Sequence, residues 1–140
     1  MKNYFRVMLT NNLLVLKKTV FGLAFSWTVL VAFLCLFSFT KLPSFGVSGT
    51  DKYVHFTFHF VFTLLWGYYS WLYYHHIELK KIVTIVFISL CYGILIEFLQ
   101  EEFTIKRHAD IFDVLANLSG AIIAFLVFVF IKKNKSSNKP

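Results

Sequence analysis

A chain of 140 residues that is 58% hydrophobic and only 15% charged does not have the make-up of a water-soluble domain, where about a quarter of residues carry charge. Its net charge of +7 does not point to nucleic acid, because the Lys and Arg residues flank long apolar runs instead of forming a patch. Cys35 and Cys91 both lie inside apolar runs and outside any CxxC pair, so a disulfide framework is excluded and both read as small packing residues.

Residues 1–18 are mixed in character, and Tyr4, Phe5, Val7, Met8 and Leu9 suit a segment lying along a membrane interface. The first apolar run, Thr19–Phe39, is longer than the roughly 7–15 residues of a signal-peptide core, and no A-x-A site follows it. It reads as a retained span. Thr40–Lys52 then carries the turn residues Pro43, Gly46 and Gly49. A second span runs from about Tyr53 to Tyr74, and a short solvated turn with His75 and His76 leads to a third, Ile82–Leu99. Glu101–Asp110 connects to a fourth span, Ile111–Ile131, and the basic tail Lys132–Pro140 is expected to fray. In lipid each span must satisfy its own backbone, which selects helices, and the runs are too long and continuous for barrel strands. Short connections favour antiparallel neighbours. The expected fold is all-α: one domain over 1–140, four transmembrane helices in an up-down bundle.

Charge sets the orientation. Lys2, Arg6, Lys17, Lys18, Lys80, Lys81, Lys132, Lys133, Lys135 and Lys139 fall on one side of such a bundle. Only Lys41, Lys52, Lys106 and Arg107 fall on the other. The positive-inside rule then places both termini in the cytoplasm. Tyr68, Tyr69, Trp71, Tyr73 and Tyr74 form an aromatic belt at the cytoplasmic end of the second span.

The acidic residues go the other way. Glu78 alone is on the cytoplasmic side, while Asp51, Glu97, Glu101, Glu102, Asp110 and Asp113 gather at the outer ends of three spans. Lys52, His55 and His59 share one helical face at i, i+3, i+7, and Asp51 stands four residues before His55. Glu97 and Gln100 are i, i+3, and Asp110, Asp113 and Asn117 again follow i, i+3, i+7. Ionisable side chains within membrane helices face the bundle interior or water, so the three stripes are expected to converge.

Several readings fit such a cluster. It suits a structural clamp, with Lys52 and Arg107 neutralising carboxylates and Asp110 and Asp113 favouring a helix N-terminus. It suits an anion pocket, with Lys52, Arg107 and His108 gripping the phosphate or carboxylate of an amphiphile. It also suits acid–base catalysis by Glu97 and Asp113 assisted by His55. A metal reading is weaker: His55 and His59 at i, i+4 reach one ion, with Glu97 or Asp113 to complete it, but there is no H-E-x-x-H. GxSxG, P-loop and GxGxxG motifs are absent and no cofactor is expected. Asn117 suits an interhelical hydrogen bond, and Gly120 with Ala124 forms a small-xxx-small packing pair.

Three blocks of this pattern resemble the VanZ-like family of bacterial membrane proteins. They are Asp51-Lys52-Tyr53-Val54-His55, Glu97-Phe98-Leu99-Gln100, and Arg107 followed by Asp110, Asp113, Asn117 and Gly120. Two departures stand out: the family usually has an aromatic residue in place of His59, and Thr104-Ile105-Lys106 replaces a common Pro-Gly. The family's namesake is associated with low-level resistance to teicoplanin, a glycopeptide antibiotic that acts on cell-wall precursors. The resemblance implies a multi-pass protein of the bacterial cytoplasmic membrane. The leading expectation is recognition of an anionic amphiphile at the outer face, either a lipid-linked wall precursor or a lipoglycopeptide. Lys52, Arg107 and His55 would touch it, with Asp51, Glu97, Gln100, Asp110, Asp113 and Asn117 shaping the pocket. The alternatives are an intramembrane hydrolase or transferase acting on an envelope lipid, and a structural or assembly subunit.

Overall fold

The structure is a computed structural model that describes residues 2–36, 50–103 and 110–137, with side chains described for 11–36, 51–102 and 110–137. Within those residues the chain forms four helices and no strand: α1 Lys2–Leu36, α2 Thr50–Tyr74, α3 Leu79–Phe103 and α4 Ile111–Ser137. Asn11–Leu36 of α1, Leu79–Glu102 and Ile111–Ser137 are long and apolar enough to cross a membrane. Helix α2 is not among them, because its 25 residues include Asp51, Lys52, two histidines and a run of Tyr and Trp. The spans' surface matches this reading. Phe87, Phe98, Phe112 and Phe130 are all more than half exposed, an arrangement suited to a lipid solvent.

Both ends of the chain extend the terminal helices. Residues 2–18 are helical and continuous with the first span in α1, since no proline breaks the stretch and its first glycine is Gly22. The tail stays helical to Ser137 instead of fraying at Lys132. Of the cysteines, Cys35 packs with Val31 and Ile96, whereas Cys91 is exposed.

Consecutive helices alternate in direction. Lys17, near the middle of α1, lies over the Tyr73 ring near the end of α2, while Trp27, further along α1, donates its indole N–H to the carbonyl of Phe58, earlier in α2, at 3.0 Å. Helix α3 runs back along α2, so that Ser89 meets His59 and Glu97 faces His55. Helix α4 is parallel to α2. Lys52 meets Asp113 at one end, and Gly67 lies against the Phe128 ring near the other. Helix α2 touches all three other helices, most extensively α4, while α1 and α4 share no contact among the described residues.

The α2–α3 turn is closed by His75 in the left-handed region, φ 61°, where a residue after a helix end commonly sits. Glu78 then begins α3 by accepting backbone hydrogen bonds from Lys81 and Ile82 at 3.0 and 3.2 Å. At α4, the Asp110 side chain caps the helix, accepting the Phe112 N–H at 2.8 Å. Gly120 sets how closely α2 and α4 approach: a Cβ there would run into the Phe56 carbonyl. The inner face of α4 is therefore Asp113, Asn117, Gly120, Ala121, Ala124 and Phe128, all buried.

Candidate functional site

The polar stripes of α2, α3 and α4 meet at the end of the bundle where α2 and α4 begin and α3 finishes. His55 is at the centre, 3% exposed. Its Nδ1 is 3.6 Å from Glu97 Oε1, and its Nε2 is 3.8 Å from both Asp51 Oδ1 and Asp113 Oδ2. Glu97 and Asp113 are also buried, at 4% and 6% exposure. Asp51 is half exposed and opens the cluster toward solvent. Lys52 caps the other side, with Nζ 3.0 Å from Asp110 Oδ2 and 3.5 Å from Asp113 Oδ1.

Asp113 thus divides its two oxygens, Oδ1 toward lysine and Oδ2 toward histidine. The Asp110 carboxyl is held below its ordinary 3.8, first by the Phe112 N–H it accepts and next by Lys52. Its charge also suits the positive end of the α4 dipole.

The other residues singled out by sequence stand apart from this centre. Gln100 is buried and donates its amide to the Cys35 carbonyl at 2.8 Å, which ties α3 to α1. Asn117, one turn below Asp113, is 1% exposed, and neither of its amide atoms has a hydrogen-bond partner. It packs against Gly93, where a Cβ would fall 2.7 Å from its Nδ2. His59 turns its Nδ1 to Ser89 Oγ at 2.8 Å instead of joining His55. Arg107, His108 and Lys106 lie outside the described residues.

Three residues of this interior escape the motif reading: Ser89, Gly93 and Thr63. A signal for them exists, since Ser89, Gly93 and Glu97 repeat at i, i+4, i+8 on α3, and Thr63 continues the His55–His59 face of α2. Ser89 and Thr63 are fully buried, and Thr63 Oγ1 has no partner. Among the described residues, one ligand atom from each of Asp51, His55 and Asp113 lies within 4.8 Å of the other two. That set differs from the His55–His59 pair suggested by spacing.

The sequence profile of VanZ/LLP1 matches residues 3–132. The chain belongs to the VanZ/LLP1 family. No curated protein and no solved structure matches it. The three blocks that carry the VanZ-like resemblance lie on the three helices that meet here: Asp51 to His55 on α2, Glu97 and Gln100 on α3, Asp113 to Gly120 on α4. Gly120 serves this VanZ-like end through the backbone, by letting α4 lie close enough to α2 for Lys52 to span to Asp110 and Asp113.

Proposed function

We propose that this VanZ/LLP1 protein binds an anionic amphiphile of the cell envelope, its head group at the carboxylate–histidine end of the bundle. The observation that carries the proposal is Lys52, a partly exposed cation held by Asp110 and Asp113 on the rim of the buried His55, Glu97 and Asp113. A charged side chain at the centre of a membrane helix costs about 2.5–3.5 kcal/mol on insertion scales, and ionisable residues within such helices usually mark a functional site. Lys52 and Arg107 contact the anion, and His55 supplies a further donor. Arg107 precedes the α4 cap Asp110 by three residues.

An apolar groove of about 270 Å³ between α1, α2 and α3 suits the hydrocarbon part. It is lined by Thr28, Phe62, Trp66, Ile85, Ile88 and Tyr92, and Phe62 is two turns along α2 from His55. In this reading α2 is the fourth span. It is about 37 Å long at 1.5 Å per residue, enough for a hydrocarbon core of about 30 Å. Both termini then lie in the cytoplasm of a bacterial cell, and the site faces the outer leaflet, where lipid-linked wall precursors and lipoglycopeptides are met.

Native mass spectrometry of the purified protein tests this. Wild type and Lys80→Ala should carry a polyprenyl-phosphate-type lipid, and Arg107→Ala should lose it. Equal lipid occupancy in all three would remove the assignment.

A second reading is favoured by the position of His55 between two buried carboxylates, with Glu97 at one ring nitrogen and Asp113 at the other. That arrangement suits proton transfer to or from a bound head group, as in a hydrolase or transferase. An altered lipid formed by wild type and not by Glu97→Gln would select it over simple binding.

A further inference from the structure

We propose that Asp51, His55 and Asp113 form a site for a divalent transition-metal cation of the Zn²⁺ class. The proposal goes beyond the amphiphile reading and does not rest on it, because the cation is held by side chains alone. One ligand atom from each residue lies within 4.8 Å of the other two. His55 Nε2 stands 3.8 Å from a carboxylate oxygen on either side. Such separations are too long for hydrogen bonds. They are close to the edges of a coordination polyhedron, since metal–ligand bonds of about 2.0–2.2 Å in a tetrahedron put ligand atoms roughly 3.3–3.6 Å apart.

The state of His55 points to a ligand independently of the carboxylates. Buried polar side chains are nearly always hydrogen-bonded. His55 is 3% exposed, and among the described residues its ring nitrogens meet only carboxylate oxygens, all at 3.6 Å or more. His59 shows the ordinary alternative one turn away, with its Nδ1 2.8 Å from Ser89 Oγ. His55 therefore presents its Nε2 to the space between Asp51 and Asp113 without a hydrogen bond closing it.

The surrounding side chains fit a metal-bound imidazole. Glu97 Oε1 lies 3.6 Å from Nδ1, on the side of the ring away from Nε2, which faces Asp51 and Asp113. Lys52 sits on Asp113 Oδ1, so Oδ2 remains turned to the site. Asp51 is half exposed and gives the cation a route in from water.

One imidazole with two carboxylates favours Zn²⁺ or a similar borderline ion over Mg²⁺ or Ca²⁺, which take oxygen ligands. Three protein ligands leave a fourth tetrahedral position open for water or for an oxygen of a head group.

Isothermal titration of the chelator-stripped, detergent-purified full chain with ZnCl₂ tests the site without any amphiphile. Wild type should bind one equivalent. Asp51→Asn, a change at a half-exposed carboxylate, should weaken binding at least tenfold while the metal-free protein remains folded. His55→Gln should abolish binding, and His76→Ala, at the opposite end of the bundle, should leave it intact. Should His55→Gln fail to fold, Asp51→Asn decides. No binding by wild type overturns the proposal, as does binding that is equal in Asp51→Asn or lost in His76→Ala.

Discussion

The two ends of the bundle use charge in opposite ways. At the end where α2 finishes, lysines rest over aromatic rings: Lys81 over Tyr74 at 5.2 Å, Lys17 over Tyr73 at 5.8 Å and Lys135 over Trp71 at 3.9 Å to the ring centroids. His76 there is largely exposed and pairs with Glu78 at 3.0 Å. Each such contact contributes about 0.5–1 kcal/mol and leaves the charge in or near water. At the other end His55, Glu97 and Asp113 are buried together, so each depends on its neighbours for what water would have supplied. Charges at the aromatic end are replaceable anchors. Those at the carboxylate end are interdependent, and removing one alters the rest.

That contrast is open to direct attack. The largest effect is expected for Asp113→Ala, which strips Lys52 and His55 of a common partner and should cost about 3–5 kcal/mol in denaturant unfolding in micelles. A cost below that of an aromatic-end lysine would erase the distinction. Next comes Gly120→Ala, at which the new Cβ meets the Phe56 carbonyl and forces α4 away from α2. A loss of about 1–3 kcal/mol is expected by the same measurement. Lys135→Ala should cost only about 0.5–1 kcal/mol, because its cation rests on a ring face with water still at hand.

The smallest effect concerns acid. Asp110 titrates below its ordinary 3.8 in the folded chain, so its contribution is complete above that value and lost as pH falls through the lower folded pKa. The wild-type melting temperature should therefore decline over that interval more steeply than that of Asp110→Asn. Parallel profiles would show that the cap and the Lys52 pair contribute nothing.

Much of the carboxylate end is legible in the sequence, for a physical reason. Polar residues are rare enough in apolar helices that i, i+3, i+7 spacing alone identifies one face, and Asp51, Lys52, His55, Glu97, Asp110 and Asp113 do come together. Periodicity gives the face but not the partner. Gln100 shares a turn with Glu97 yet bonds to a backbone carbonyl of α1, an acceptor that no side-chain pattern reveals. His59 shares a face with His55 but is drawn to Ser89, a residue too ordinary to be noticed alone.

The helices themselves are legible because apolar length is a strong signal, and their ends are less so. Residues 2–18 are mixed in composition, yet composition alone does not break a helix, and they run into the first span without interruption. Helix α2 shows the converse: its buried polar and aromatic residues lower its hydropathy, while its packing places it between the other three.

The most direct test of the central claim is binding of a fluorescent polyprenyl phosphate to the purified protein in micelles, with melting temperature followed on the same samples. Lys52→Ala and Arg107→Ala should each weaken binding at least tenfold, whereas Lys135→Ala should leave it unchanged, and all three should stay folded. Affinity that is indifferent to Lys52 and Arg107 in folded protein would contradict the account and leave the carboxylate end as a clamp between helices.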